Sequence, residues 1–254
     1  VFPLDAFEAI LPHLDRESIL KIYEAAPGGE IRSGKFANPA SSAALAANVF
    51  GWFLDRPEEL MITTGSNSVF QNVQNVSLEA EVRFPWRGGR HPSLDALIRT
   101  RDRVIGVEAK RYEPFRSKSA PVFSDAFERD VWKGLEAYNA LRRTMKAGDI
   151  AFRHLDAAQL IKHALGLAAE ADRSGLEPVL IYLYAAPELW PDGRAVPPSQ
   201  KIAHLSEINT FNAAVAGDRV TFLSMSYREL LSSWRQLGGH SAVHADAISS
   251  AFDL

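Results

Sequence analysis

The apolar positions of the chain change period along its length, and the changes mark out its elements. From Leu4 to Ala25, Phe7, Ile10, Leu11, Leu14, Ile19 and Ile22 recur at helical spacing; Pro12 splits the stretch and Pro27-Gly28-Gly29 ends it. Ser41 or Ser42 caps a helix running to Leu54, with Leu45, Val49 and Phe53 on its apolar stripe. From Val76 the period drops to two. Val76, Leu78, Ala80, Val82 and Phe84 fall on one face of a strand, and Ser77, Glu79, Glu81 and Arg83 on the other. Arg87-Gly88-Gly89-Arg90 reads as a hairpin turn, Leu94 to Thr100 as a second strand, Arg101-Asp102 as a tight connection and Arg103 to Tyr112 as a third strand. Helical spacing returns over Phe123 to Met145 and Leu155 to Ala171. Val179 to Tyr184 is a continuous apolar run, as in a strand buried on both faces. Beyond a Pro-rich loop from Pro187 to Pro198, the pattern predicts a helix over Ile202 to Val215 and a strand over Arg219 to Leu223. Two more helices follow, over Tyr227 to Leu237 and from Ala242 onward. The predicted class is α/β. Its centre is helix, three-strand antiparallel meander, helix, strand.

Composition narrows this picture without changing it. With 254 residues, 46% hydrophobic and 23% charged, the chain reads as one globular domain spanning 1–254. Its centre lies at about 41–185, with a helical N-terminal and an α/β C-terminal addition. There is no run of ~18 apolar residues, so no membrane span is expected, and Val1-Phe2-Pro3-Leu4-Asp5 lacks the start of a signal peptide. The chain has no cysteine, which excludes disulfides, thiolate catalysis and Cys-based metal sites and suits the cytoplasm.

Charge is uneven. The net charge is −3, yet from Arg83 to Lys118 ten basic residues stand against four acidic ones. A local positive field of this kind suits a polyanionic partner better than the total charge suggests.

The candidate chemistry lies within that basic region. Asp95 sits near the start of the second predicted strand, and Glu108 and Lys110 sit two apart on the third, hence on one face. Val104-Ile105-Gly106-Val107 ahead of them marks that strand as central, where charges are costly unless paired or ion-bound. Glu-Ala-Lys alone is weak evidence; its weight comes from the meander and from the Asp one strand earlier. Asp95 with Glu108-Ala109-Lys110 resembles the signature of the PD-(D/E)xK, or restriction-endonuclease-like, nuclease superfamily. Pro92 lies two residues further from Asp95 than that name implies. The superfamily core, helix, three strands, helix, strand, is similar to Ser41 to Tyr184. The segments Leu94 to Leu97 and Val107 to Phe115 also resemble uncharacterised bacterial restriction-endonuclease-like proteins.

The resemblance implies a metal-dependent nuclease that hydrolyses phosphodiesters in nucleic acid, DNA first, with endonuclease ahead of exonuclease activity. Carried over, Asp95 and Glu108 bind Mg²⁺, which Mn²⁺ can replace, with the Ala109 carbonyl as a further ligand. Lys110 orients or helps deprotonate the attacking water and faces the phosphate. Many superfamily members add an acid from the first core helix. The helix from Ser41 has none before Asp55, which leaves Asn48, Glu79 or Glu81 as replacements. A two-residue Gly88-Gly89 turn sets position 95 opposite 82 and puts Glu81 on the wrong face, whereas a one-residue bulge reverses that. Gln159 corresponds to a Gln that several branches carry on the helix after the meander, and His163 lies one turn further on the same face. Arg87, Arg90, Arg111 and Trp86 are candidate nucleic-acid contacts, Trp86 by stacking or by groove insertion. A homodimer is compatible with double-strand cutting.

Two alternatives stand beside this. One is a module of the same fold that binds nucleic acid or assembles with partners without catalysis. The other is an accidental motif, which requires Glu108 and Lys110 to be solvent-exposed and far from Asp95.

Overall fold

In the computed structural model, residues 2–65, 69–116 and 123–254 are described. Lys118, part of the basic excess, lies outside them. Two short helices open the chain, α1 (Leu4–Glu8) and α2 (Arg16–Ala25), and α2 starts where the Asp15 side chain accepts from Ser18 N. Ser41 caps α3 (Ser42–Gly51) by accepting from Ala44 N at 3.0 Å. A two-strand ribbon follows, β1 (Ile62–Thr63) with β2 (Val69–Phe70). The meander is β3 (Asn75–Glu81), β4 (Ser93–Arg99) and β5 (Arg103–Lys110). Then come α4 (Glu136–Ala147), α5 (Ala157–Ser174), β6 (Glu177–Tyr184), α6 (Pro198–Val215), β7 (Thr221–Ser226), α7 (Tyr227–Leu237) and α8 (Gly239–Phe252).

The five-strand sheet has the order β3-β4-β5-β6-β7, antiparallel through β5 and parallel from β5 to β7. A parallel pair needs a crossover, which α4 and α5 supply between β5 and β6. Two hydrophobic clusters sandwich the sheet. One joins Val76, Leu78, Ala96, Ile98, Val107 and Ile181 to α2, α3, α7 and α8. The other joins Val82, Leu94, Val104, Leu180 and Phe222 to α4, α5 and α6. Helix α5 lies close on the sheet because two positions lack a Cβ. A Cβ on Gly106 would come within 2.7 Å of Leu167 and Leu94, and one on Gly166 within 2.8 Å of Val82. No helix among the described residues is long and apolar enough to cross a membrane.

Three expectations are corrected. The helix foreseen from Phe123 begins only at Glu136: Gly134 takes a φ of +78°, and the preceding segment folds back so that Trp132 Nε1 donates to Phe127 O at 2.9 Å. The hairpin is not closed by a two-residue turn. The strands end at Glu81 and resume at Ser93, so the register pairs Ala80 with Leu94 and Leu78 with Ala96, which sets Glu79, not Val82, across from Asp95. The uninterrupted alternation of β3 also fails. Glu79 has a φ of +48°, a left-handed conformation rare for a residue with a side chain. There β3 changes sides: Val76 and Leu78 join the α3 cluster, Val82 and Phe84 the α5 cluster. The β4 strand changes sides at the same level, between Leu94 and Ala96.

Candidate active site

The site forms where β4 and β5 part. Their pairing runs from Arg99↔Val104 to Ala96↔Val107 and stops. One residue further on, the Asp95 carboxylate takes the place of a backbone acceptor: Oδ2 accepts from Ala109 N at 2.7 Å. The N–H and C=O of a strand residue point the same way, so the Ala109 carbonyl also faces the β4 side. Glu108 and Lys110 look toward α5. Lys110 Nζ donates to Glu108 Oε1, and Glu108 Oε2 lies 2.8 Å from His163 Nε2 on α5. Glu108 is 2% exposed and Lys110 14%, so the accidental-motif alternative fails on its own terms.

Around this centre is a cleft of about 460 Å³, whose lining includes Glu79, Asp95, Glu108, Lys110, Glu113 and Gln159. Its far wall is the loop before α3 and that helix's first turn, with Glu30, Lys35, Ser41 and Ser42. Past the end of β5, Glu113 ties both walls together: its carboxylate accepts from Arg111 N at 2.8 Å and from Ser42 Oγ at 2.7 Å.

The carboxylates of the cleft are unequal. Burial would raise Glu108, but Lys110 and His163 hold it down at about 2. Asp95 is pushed well above the usual carboxylate range by burial, then by the Glu108 charge, against the pull of Lys110. Burial, with Glu108 and Glu30, raises Glu79 to about 7. Burial would lower Lys110, but Glu108, Asp95 and Glu113 raise it above its ordinary value, so it remains an ammonium. The cleft therefore crowds together carboxyls that resist ionising side by side, beside the Glu108–Lys110 pair. Hard oxygen donors in that setting fit Mg²⁺ or Mn²⁺, with Asp95 and Glu108 as the carboxylates in place to hold it. Among the described residues, no three His, Asp or Glu side chains already converge as a preformed cage.

The structure thus brings Asp95, Glu108, Lys110 and Gln159 to one cleft, with Ala109 buried behind it and bonded through its N–H to Asp95, and places other candidates elsewhere. Glu81 does not line the cleft: it is exposed at the end of β3, with Oε1 3.2 Å from Arg83 Nε, although the register by itself sets it on the Asp95 face. Asn48 is fully buried and bonded to Leu11 N, Ala9 O and Ala44 O, pinning the first helices to α3. Arg111 is buried too, its guanidinium donating to Pro39 O and Phe252 O, so it is not a nucleic-acid contact. Trp86 stacks on Phe84 at 4.5 Å, meets Phe127 edge-on and is half-buried. Arg87 and Arg90 are exposed on the connection between β3 and β4. His163, one turn beyond Gln159, is 1% exposed and not on a solvated face. Ser42, Lys35 and Glu30 were not foreseen, because a loop's approach to a distant strand leaves no periodic trace.

A helix, an antiparallel meander, a crossover and a parallel strand, with Asp and Glu-x-Lys where the meander opens, define a restriction-endonuclease-like protein. Residues 16–248 match the family model described as Restriction Endonuclease associating with ARP, and the chain belongs to that family. A search of curated proteins and a search of solved structures returned no match.

Proposed function

We propose that the cleft hydrolyses phosphodiester bonds in nucleic acid, DNA first, as a metal-dependent endonuclease. The observation that carries this is the placement of Asp95, Glu108 and Lys110 in one cleft at the parting of β4 and β5. Asp95, Glu108 and the Ala109 carbonyl would hold Mg²⁺ or Mn²⁺. When bound, the ion lowers the pKa of a coordinated water and offsets charge on the phosphoryl oxygens. The chain's own residues do the rest. Lys110, kept protonated by three carboxylates, acts as a donor to a phosphate oxygen and not as the base. Glu79, at about 7, is the carboxylate able to take up a proton near neutral pH. Gln159 stands at the cleft wall, positioned by the first turn of α5, where Asp156 accepts from its backbone N–H at 3.0 Å. The exposed Arg87 and Arg90 suit contact with the phosphate backbone.

The test is incubation with supercoiled, linear and single-stranded DNA and with RNA, in Mg²⁺ or Mn²⁺, beside Asp95→Asn and Lys110→Met. Cleavage by the wild type alone supports the proposal; no cleavage of any substrate, or equal cleavage by the variants, refutes it. A second reading, an accessory module that holds nucleic acid without cutting, draws on the occupation of Glu108 by Lys110 and His163 and on the word "associating" in the family description. It predicts nucleic-acid binding with no metal dependence.

A further inference from the structure

His163 has no part in the sequence signature, yet it is among the most enclosed polar side chains of the chain. It is 1% exposed. Its Nε2 lies 2.8 Å from Glu108 Oε2, at ion-pair distance but off the line of an ideal hydrogen bond, and neither ring nitrogen has another hydrogen-bond partner among the described residues. A buried imidazole with a single polar neighbour needs an account, because an unpaired buried polar group is costly. The other Glu108 oxygen is taken by Lys110, whose long side chain is adaptable. His163 is not adaptable. It projects from α5, and that helix is fixed against the sheet by the close approaches at Gly106 and Gly166.

We propose that His163 is a positioning residue, which holds the Glu108 carboxylate in the one orientation that presents it to a divalent cation. The helix sets the ring, the ring sets one carboxylate oxygen, and the lone pairs left over face the cleft. Such partners of a ligating carboxylate commonly matter to metal affinity by about 10–100-fold. The inference rests on the reading of the cleft as a cation site, and its test separates the two.

Mn²⁺ binding is measured by titration calorimetry on wild type, Asp95→Asn, His163→Leu and His163→Gln, with thermal unfolding as the check on folding. Glutamine places its Nε2 near that of the histidine, whereas leucine keeps the volume and loses the donor. The expected result is a loss of about tenfold or more in affinity for His163→Leu, near-wild-type affinity for His163→Gln, and no binding for Asp95→Asn. Half-maximal cleavage should need correspondingly more Mn²⁺ in His163→Leu, with kcat at saturating metal little changed. Wild-type affinity in His163→Leu, or equal weakening in both histidine variants, overturns the positioning role. Undiminished binding in Asp95→Asn overturns the cation site itself. If His163→Leu does not fold, His163→Asn replaces it, because its shorter amide falls short of Glu108 and should bind as weakly as expected for leucine.

Discussion

Replacing Lys110 by Met tests whether the cleft is organised around an internal cation. The stem of the side chain survives in the variant and the ammonium does not. Glu108, 2% exposed, then keeps only the His163 contact. Breaking a buried pair by removing one partner typically costs about 3–5 kcal/mol, and the remaining histidine places the expected loss near the lower end, about 3 kcal/mol. At a urea slope of about 1–3 kcal/mol/M the unfolding midpoint falls by roughly 1–3 M. The same substitution withdraws the one charge that pulls Asp95 and Glu79 downward, so both carboxyls rise further. A divalent ion should then serve in place of the lost ammonium. At a free concentration of about 100 times its Kd, Mg²⁺ should return about 2.7 kcal/mol through binding to the folded state. The assay is urea unfolding followed by circular dichroism, with and without Mg²⁺, on wild type and variant. A loss below about 1 kcal/mol, the range of a solvated surface pair, together with no response to Mg²⁺, would refute the reasoning.

Further outcomes follow from other parts of the structure. Glu79 has its carboxyl raised from 4.5 to about 7, so its contribution to stability is intact below pH 4.5 and is lost as pH rises toward 7; in Glu79→Gln this decline should vanish from a pH series of urea midpoints. His244 is lowered from 6.5 to about 4 by burial, the reverse case: stability present above pH 6.5 is lost as pH falls toward 4, and His244→Phe should flatten that limb of the same series. Asn48→Ala strands Leu11 N and Ala9 O and should cost about 3 kcal/mol by chemical unfolding, without altering Mn²⁺ affinity, since the residue pins helices and does not reach the cleft. Gly106→Ala forces a methyl against Leu167 and Leu94, costing about 1–3 kcal/mol; it should also weaken Mn²⁺ binding by shifting α5 and with it His163.

The periodicities carried most of the architecture. The α7 helix falls over Tyr227–Leu237 as its pattern predicts, and the apolar run at 179–184 is a doubly covered strand. Asp95, Glu108 and Lys110 were legible because two of them share a strand face and the third lies one hairpin away, distances that local pattern can bridge. Glu79 was legible only as one of three choices, beside Asn48 and Glu81. Its role depends on a positive φ inside a strand and on a connection whose glycines suggested a shorter turn. His163 was readable as a neighbour of Gln159 but not as buried, because the depth of α5 on the sheet depends on the absence of a Cβ at Gly106, far away in sequence, as well as at Gly166. The same blindness to long-range docking explains Arg111 and Asn48. Both are polar residues that look available, and both are spent on backbone carbonyls and amides of distant segments.

The simultaneous change of sides at Glu79 and Asp95 has a consequence for how the chain finds its register. A slip of one residue between β3 and β4 would drive a carboxylate in among Val76, Leu78 and their partners, and would expose an apolar side chain in return. The acidic pair thus works as a key that admits a single alignment of the meander. A chain that misfolds there forfeits both its core and its cleft, so the competing alignments lie well above the native one, and the cleft can exist only in molecules that are correctly folded.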